Sequence, residues 1–236
     1  MPISLCLGTA QFGLNYGVTN KKGIVEVKEV QEILDKAYDQ GIKFLDTAKA
    51  YGNAEEVLGK SIRKSKEFKI ISKISLPEKI SSDQNLRENL YYSFNDSLKK
   101  LNRENLHTLL IHRPKDLYSK YSSTFIKWLI SLKNEGLLAR IGVSIYNFDE
   151  ISKIDLSIFD VVQIPLSLFD QRFLKNNQME KILNSNCQIH IRSIFLQGLL
   201  LCKNSFLPKF LSKEFLIHHS KFCAESKKHQ LSQLEY

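Results

Sequence analysis

The stretch "GTAQFGLNYG", residues 8–17, follows the apolar run ISLCL (3–7) and has glycines at 8, 13 and 17. A strand running into a glycine-rich turn opens a β–α unit, and two architectures are built from such units. A doubly wound sheet that binds a dinucleotide carries Gly-x-Gly-x-x-Gly in this first turn, so that the backbone can approach a pyrophosphate. That spacing is absent here. The fold expected is therefore α/β, a (β/α)8 TIM barrel.

Outward from this turn the same alternation recurs. Further strand candidates are KFLDT (43–47), KIISKI (69–74), HTLLIH (107–112), ARIGVS (139–144), DVVQIP (160–165) and QIHIRSI (188–194). They are nearly continuous apolar runs, the pattern of parallel strands covered on both faces. Helical periodicity lies between them. Val27, Val30, Leu34, Ala37 and Tyr38 repeat at three- and four-residue steps, and Gly41 supplies a stop. The same spacing appears over 83–101 (Leu86, Leu90, Phe94, Leu98) and 123–135 (Ile126, Leu129, Leu132). Seven strands are found where a closed barrel needs eight. The residues after Leu201 read as loop and then helix, so the barrel is expected to be incomplete at its C-terminal end, as one domain over 1–236.

Composition narrows the function classes. Of the 236 residues, 43% are hydrophobic, enough for one large core. Lys plus Arg outnumber Asp plus Glu by 34 to 25, a formal charge of +9. The lysines are scattered, without the basic stripe interleaved with aromatics that marks a nucleic-acid surface, so no nucleic-acid partner is expected. Cys6, Cys187, Cys202 and Cys223 show no metal-ligand spacing, and no metal is expected. The first residues lack the pattern of a secretory signal, and no apolar run reaches the roughly 18 residues of a membrane span. A soluble, cytoplasmic protein without membrane contact is the expectation.

In a barrel of this kind chemistry gathers at the C-terminal ends of the strands. Four polar residues stand at such places: Asp46 at the end of the second strand, Tyr51 in the loop after it, Lys73 near the end of the third, and His112 closing the fourth. A tyrosine, with an ordinary pKa of about 10, is too weak an acid to exchange a proton readily near neutral pH. An ammonium within reach favours the phenolate, a carboxylate neutralises the buried cation, and a neutral histidine can orient a carbonyl oxygen. Each residue also has a plainer role. Asp46 could cap the next helix, Lys73 could be a surface lysine or form a Schiff base, His112 could bond a loop, and Tyr51 could simply pack. At the ends of successive strands, the set of four points to carbonyl reduction.

With these residues in place, the sequence resembles the aldo-keto reductases from about residue 4 to 201. The match comprises Asp46-Thr47-Ala48, Tyr51-Gly52, Glu55 or Glu56, Leu58-Gly59, Lys73, and Ile111-His112-Arg113-Pro114. The LGTAQFG, GLLARIGVS and SIFLQGLLL stretches add to it. The resemblance implies an oxidoreductase that binds NADPH, with NADH as the other cofactor, and reduces a small aldehyde, ketone or sugar-like substrate. Tyr51 would supply the proton. Ser144 and Gln163 would hold the carboxamide, and Gly8 and Thr9 would lie beside the nicotinamide ribose. Ser193, Phe195 and Gly198 belong to the segment that would lie against the pyrophosphate. The sequence departs from the pattern at Ile145 and Ser167, where asparagine is frequent, and in the eighth β–α unit, which normally holds the adenosine ribose and its phosphate. Two other readings remain open. One is a barrel that has lost catalysis and binds a metabolite or protein partner; the other is a Schiff-base aldolase using Lys73. A homodimer in which a second copy covers the open seam would reconcile the four polar residues with the short C-terminus.

Overall fold

The computed structural model describes residues 3–174 and 178–236. Seven strands form one sheet in chain order, every pair parallel: β1 (Cys6–Gly8), β2 (Phe44–Asp46), β3 (Lys69–Ile74), β4 (Leu106–Ile111), β5 (Leu138–Ser144), β6 (Val161–Pro165) and β7 (Gln188–Arg192). Helices α1 (Val27–Asp39), α2 (Ala54–Ser61), α3 (Asp83–Leu101) and α4 (Ser122–Asn134) follow β1 to β4. Helices α5 (Gln178–Leu183) and α6 (Lys213–Lys228) follow β6 and β7. Between β5 and β6 the chain makes only two 3₁₀ turns, 148–153 and 156–158, so the β–α alternation lapses there. None of the helices among the described residues is long and apolar enough to cross a membrane.

Local signals place the helices. The Ser82 hydroxyl accepts from the Asn85 N–H at 3.1 Å and starts α3; Asn102, at φ 52°, ends it in the left-handed region. Gly41, at φ +85°, lets the chain turn out of α1. Val30, Leu34 and Ala37 of α1, Leu86, Leu90 and Phe94 of α3, and Phe125, Leu129 and Leu132 of α4 are buried against the outer face of the sheet. A separate, smaller cluster of Ile71, Leu110 and Val161, with Phe44 against it, fills the inner face. Gly142 makes room for it: a Cβ there would lie 2.7 Å from the Leu110 side chain and 2.3 Å from the Val161 carbonyl oxygen.

The sheet curls strongly. In a flat sheet, β2 and β6 would be about 19 Å apart, four spacings of about 4.8 Å. Yet the Gln163 amide of β6 donates to the Asp46 carboxylate of β2 at 3.2 Å. The inner faces of the two strands meet across the axis of a partly closed barrel.

No eighth strand is seen among the described residues. After β7 the chain makes 3₁₀ turns at 196–201 and 204–206 and then enters α6. The sheet ends at β1 and β7, which do not pair with each other. β1 is also shorter than the run 3–7 predicted: Ile3 and Leu5 are exposed, and only Cys6–Gly8 pair, opposite Phe44–Asp46. A strand with one neighbour keeps only the residues that neighbour can reach. β7 stops at Arg192 because Ser193 takes φ 61°, which no extended strand can continue.

Candidate active site

Lys73 organises the site. Alternation along β3 turns its side chain inward with Ile71, and only 1% of the residue is exposed. A buried ammonium must be paired and hydrogen-bonded to be tolerated. Here Nζ donates to the Asp46 carboxylate, to the Thr47 carbonyl oxygen at 2.9 Å and to the Tyr51 hydroxyl at 3.4 Å. Burial works to lower the pKa of this ammonium. The Asp46 carboxylate and Tyr51 outweigh it, the net displacement is upward, and Lys73 stays charged.

Asp46 ends β2 and is held from three sides. Besides Lys73, its second carboxylate oxygen accepts from Gln163, whose own carbonyl oxygen accepts from the Ser144 hydroxyl at 3.1 Å. The Asp46 main-chain oxygen accepts from the Thr9 N–H at 2.9 Å and the Thr9 hydroxyl at 3.0 Å. His112 follows β4 directly, and its ring meets that of Tyr51 edge-on, with centroids 5.9 Å apart. Burial first, and the Lys73 charge second, push the His112 imidazole down to about 4, so it is neutral at neutral pH. A cleft of about 250 Å³ is lined by Lys73 and His112 together with Lys49, Asn89 and Ser93.

Close backbone packing fixes the Tyr51 loop. A Cβ on Gly13 would lie 2.0 Å from the Tyr51 carbonyl oxygen, and one on Gly52 would lie 2.3 Å from the Gly13 carbonyl oxygen. Gly52 also holds φ +59°. The glycine spacing that ruled out a dinucleotide turn thus serves a different contact. The motif's two glutamates separate as well. Glu55 is buried and accepts from the Ser72 hydroxyl at 2.6 Å, whereas Glu56 is half-exposed and pairs with Lys60.

The structure therefore brings Asp46, Tyr51, Lys73 and His112 together, with Thr9, Ser144 and Gln163 bonded into the same network and Gly8 opposite Asp46 in the β1–β2 register. Ser193 follows β7 and accepts weakly from Arg192 at 3.4 Å. Phe195 and Gly198 lie in the turn beyond, seated on Thr19: its hydroxyl donates to the Gln197 carbonyl oxygen at 3.0 Å. Sequence reasoning did not single out Arg192 and Tyr146. The Arg192 guanidinium lies 4.2 Å from the Tyr146 ring centroid and donates to the Ile145 carbonyl oxygen at 3.2 Å. An arginine at the end of a strand was the signal available for it.

A family model described as "Aldo/keto reductase family" matches residues 4–229. The chain belongs to the aldo/keto reductase family. Among curated relatives, methylglyoxal reductase DkgA of Escherichia coli K12 is 29% identical over 127 residues, 54% of this chain and 44% of that protein. Aldo-keto reductase YhdN of Bacillus subtilis is 26% identical over 196 residues, 75% of this chain and 56% of that one. The chain thus spans about half the length of these reductases. Among solved structures, the glycerol dehydrogenase AKR11B4 of Gluconobacter oxydans superposes with TM-score 0.71 at 22% identity, over 97% of this chain and 75% of that one. The holo form of aldo-keto reductase AKR11C1 from Bacillus halodurans gives 0.68 at 19%, over 94% and 72%. At these identities the likeness shows the aldo/keto reductase fold.

Proposed function

We propose that this chain is a nicotinamide-dependent reductase of small aldehydes, ketones or sugar-like carbonyl compounds. The observation that carries the proposal is the Lys73 ammonium, buried and paired with Asp46, with the Tyr51 hydroxyl and the neutral His112 ring beside it. In this reading Tyr51 gives its hydroxyl proton to the carbonyl oxygen as that oxygen gains negative charge. Lys73 stabilises the phenolate left behind, and Asp46 holds Lys73 in place. His112, being neutral, can bond the carbonyl oxygen without adding a charge that would compete with Lys73.

The residues present fit NADPH or NADH in several respects. A Cβ on Gly8 would meet nothing within 4 Å, so there is open space where the ribose is expected. Ser144 and Gln163 are buried and bonded to one another, and both keep acceptor capacity for a carboxamide N–H₂. The segment after β7 holds Ser193, Leu196, Gln197 and Gly198 at positive φ. Strain of that kind clusters at ligand-binding turns and supports the expected place of the pyrophosphate. When bound, the reduced nicotinamide would supply the hydride.

The test follows oxidation of NADPH and NADH by the purified chain against a panel of aldehydes and ketones. Tyr51→Phe should lower turnover about 10²- to 10⁴-fold while leaving cofactor affinity nearly unchanged. Trp128 is a poor reporter of cofactor binding, since it packs among Tyr91, Phe94 and Phe125; thermal shift or calorimetry is the better readout. A folded chain that binds neither nucleotide would sink the proposal in favour of a non-catalytic binding barrel. A Tyr51→Phe variant with most of its turnover would remove Tyr51 as proton donor.

A further inference from the structure

Helix α6 is anchored unlike the others. Its two buried side chains, His219 and Ser226, are both polar, whereas α1, α3 and α4 bury mainly aliphatic and aromatic residues. An imidazole taken out of water is costly unless its ring nitrogens find partners. His219 is fully buried, and its Nε2 lies 3.0 Å from the Leu199 carbonyl oxygen. That oxygen can only accept, so Nε2 carries the proton and donates it. Nδ1 lies 3.6 Å from the Cys223 sulfur, one turn along the helix, and the Phe215 ring stacks on the imidazole with centroids 5.9 Å apart. Burial holds the imidazole below its ordinary pKa, so it is neutral at neutral pH.

Gln233, beyond α6, reaches the same place. Its amide nitrogen donates to the Leu200 carbonyl oxygen at 2.8 Å, with further contacts to the Cys223 sulfur at 3.2 Å and the Cys202 carbonyl oxygen at 3.4 Å. All three carbonyls belong to the 196–202 turn after β7. That turn holds Leu196 at φ 47°, Gln197 at 57° and Gly198 at 92°. Left-handed backbone is unfavourable for residues with a Cβ and persists only where the surroundings impose it. Thr19 grips the first half of the turn at Gln197, and His219 and Gln233 grip the second half at Leu199, Leu200 and Cys202.

We propose that His219 and Gln233 are positioning residues of the cofactor site: by holding Leu199 and Leu200 they keep the 196–202 turn in the shape that receives a dinucleotide pyrophosphate. The task given to the turn rests on the reductase reading; the grip on it does not. Both residues act through the turn. When the grip is lost, the turn adopts its competent shape only part of the time, and the apparent affinity falls by that fraction. A ligand without the pyrophosphate is unaffected.

The experiment compares NADPH with reduced nicotinamide mononucleotide, which lacks the pyrophosphate and the adenosine, by calorimetry on the purified chain. Hydrogen exchange of the 196–202 amides, without cofactor, reports on the turn itself. His219→Ala should speed that exchange and raise the Kd for NADPH about tenfold, the order of one lost hydrogen bond, while changing the mononucleotide by less than about twofold. His219→Gln, whose amide can donate to Leu199 in place of Nε2, should recover most of the NADPH affinity. Gln233→Ala should act in the same direction to a smaller extent. Circular dichroism checks folding; should His219→Ala not fold, Gln233→Ala decides. Unchanged exchange in the folded variants overturns the grip, whatever the cofactor does. Faster exchange with unchanged NADPH affinity overturns the link to the cofactor and leaves the reductase reading standing. Equal losses for the two ligands mean general damage to the site and overturn the proposal as well. If the wild type binds neither nucleotide, the reductase reading fails, and the cofactor role of the two residues fails with it.

Discussion

The middle of the sheet and its two margins are made from similar sequence but live in different surroundings. β2 to β6 have a neighbour on each side and helices or turns over their outer face. In β6 every residue is buried, and in β3 only Lys69 is exposed. β1 and β7 have one neighbour each and are largely exposed or half-exposed, with Ile191 at 50%. The comparison teaches where rigidity is available. The proton-handling groups hang on the well-supported arc, where a buried charge pair can be held. The segment expected to grip the cofactor, together with Arg192, belongs to the weakly supported margin.

The contrast can be broken or sharpened by substitution. Asp46→Asn leaves the Lys73 ammonium buried without its charge partner, and should cost about 3–5 kcal/mol of stability as well as activity; chemical denaturation measures it. A cost under about 1 kcal/mol would mean that water reaches the pair. Leu110→Ala, in the inner cluster, should cost about 2–5 kcal/mol, while Ile191→Ala on the β7 edge should cost less than about 1 kcal/mol. Equal costs would erase the distinction between arc and margin.

A pH series tests the burial of His112. Its imidazole sits at about 4 in the folded chain, against an ordinary value of 6.5. Between those values the unfolded chain binds more protons than the folded one, so stability rises with pH and is lost as pH falls from about 6.5 toward about 4. His107, also pushed to about 4 by burial and then Arg140, adds to the same slope. His112→Gln should reduce that slope by at most about 1.4 kcal/mol per pH unit. An unchanged slope would show that His112 is solvated and chargeable. The smallest effect is expected at the margin. Gln197, at φ 57°, holds a conformation that glycine adopts more cheaply, so Gln197→Gly should stabilise by up to about 1 kcal/mol, read as a small rise in Tm. A fall in Tm would mean the side chain packs in a way that offsets the backbone strain.

Much of this was legible in the sequence. The seven apolar runs became seven parallel strands, because a strand buried on both faces must be apolar along its length whatever it packs against. The helix stop at Gly41 obeys a purely local rule. Asp46, Lys73 and His112 were visible because polar residues at the ends of apolar runs are conspicuous. The shortening of β1, the 3₁₀ turns where a helix would complete the β5–β6 unit, and the company of Arg192 were not visible. Each depends on which neighbours surround a residue, and that is settled only when distant segments meet.

The amino-acid sequence by itself determined the order and type of the elements and the chemical kinds at the strand ends, since period, propensity and charge are local properties. Tertiary structure alone decided that Gln163 reaches Asp46 across the curled sheet, that Glu55 rather than Glu56 is buried, and that the Arg192 guanidinium lies over the Tyr146 ring. The reason is physical: a charge or donor acquires its energy from what surrounds it in space, and burial converts an ordinary side chain into one that needs a partner.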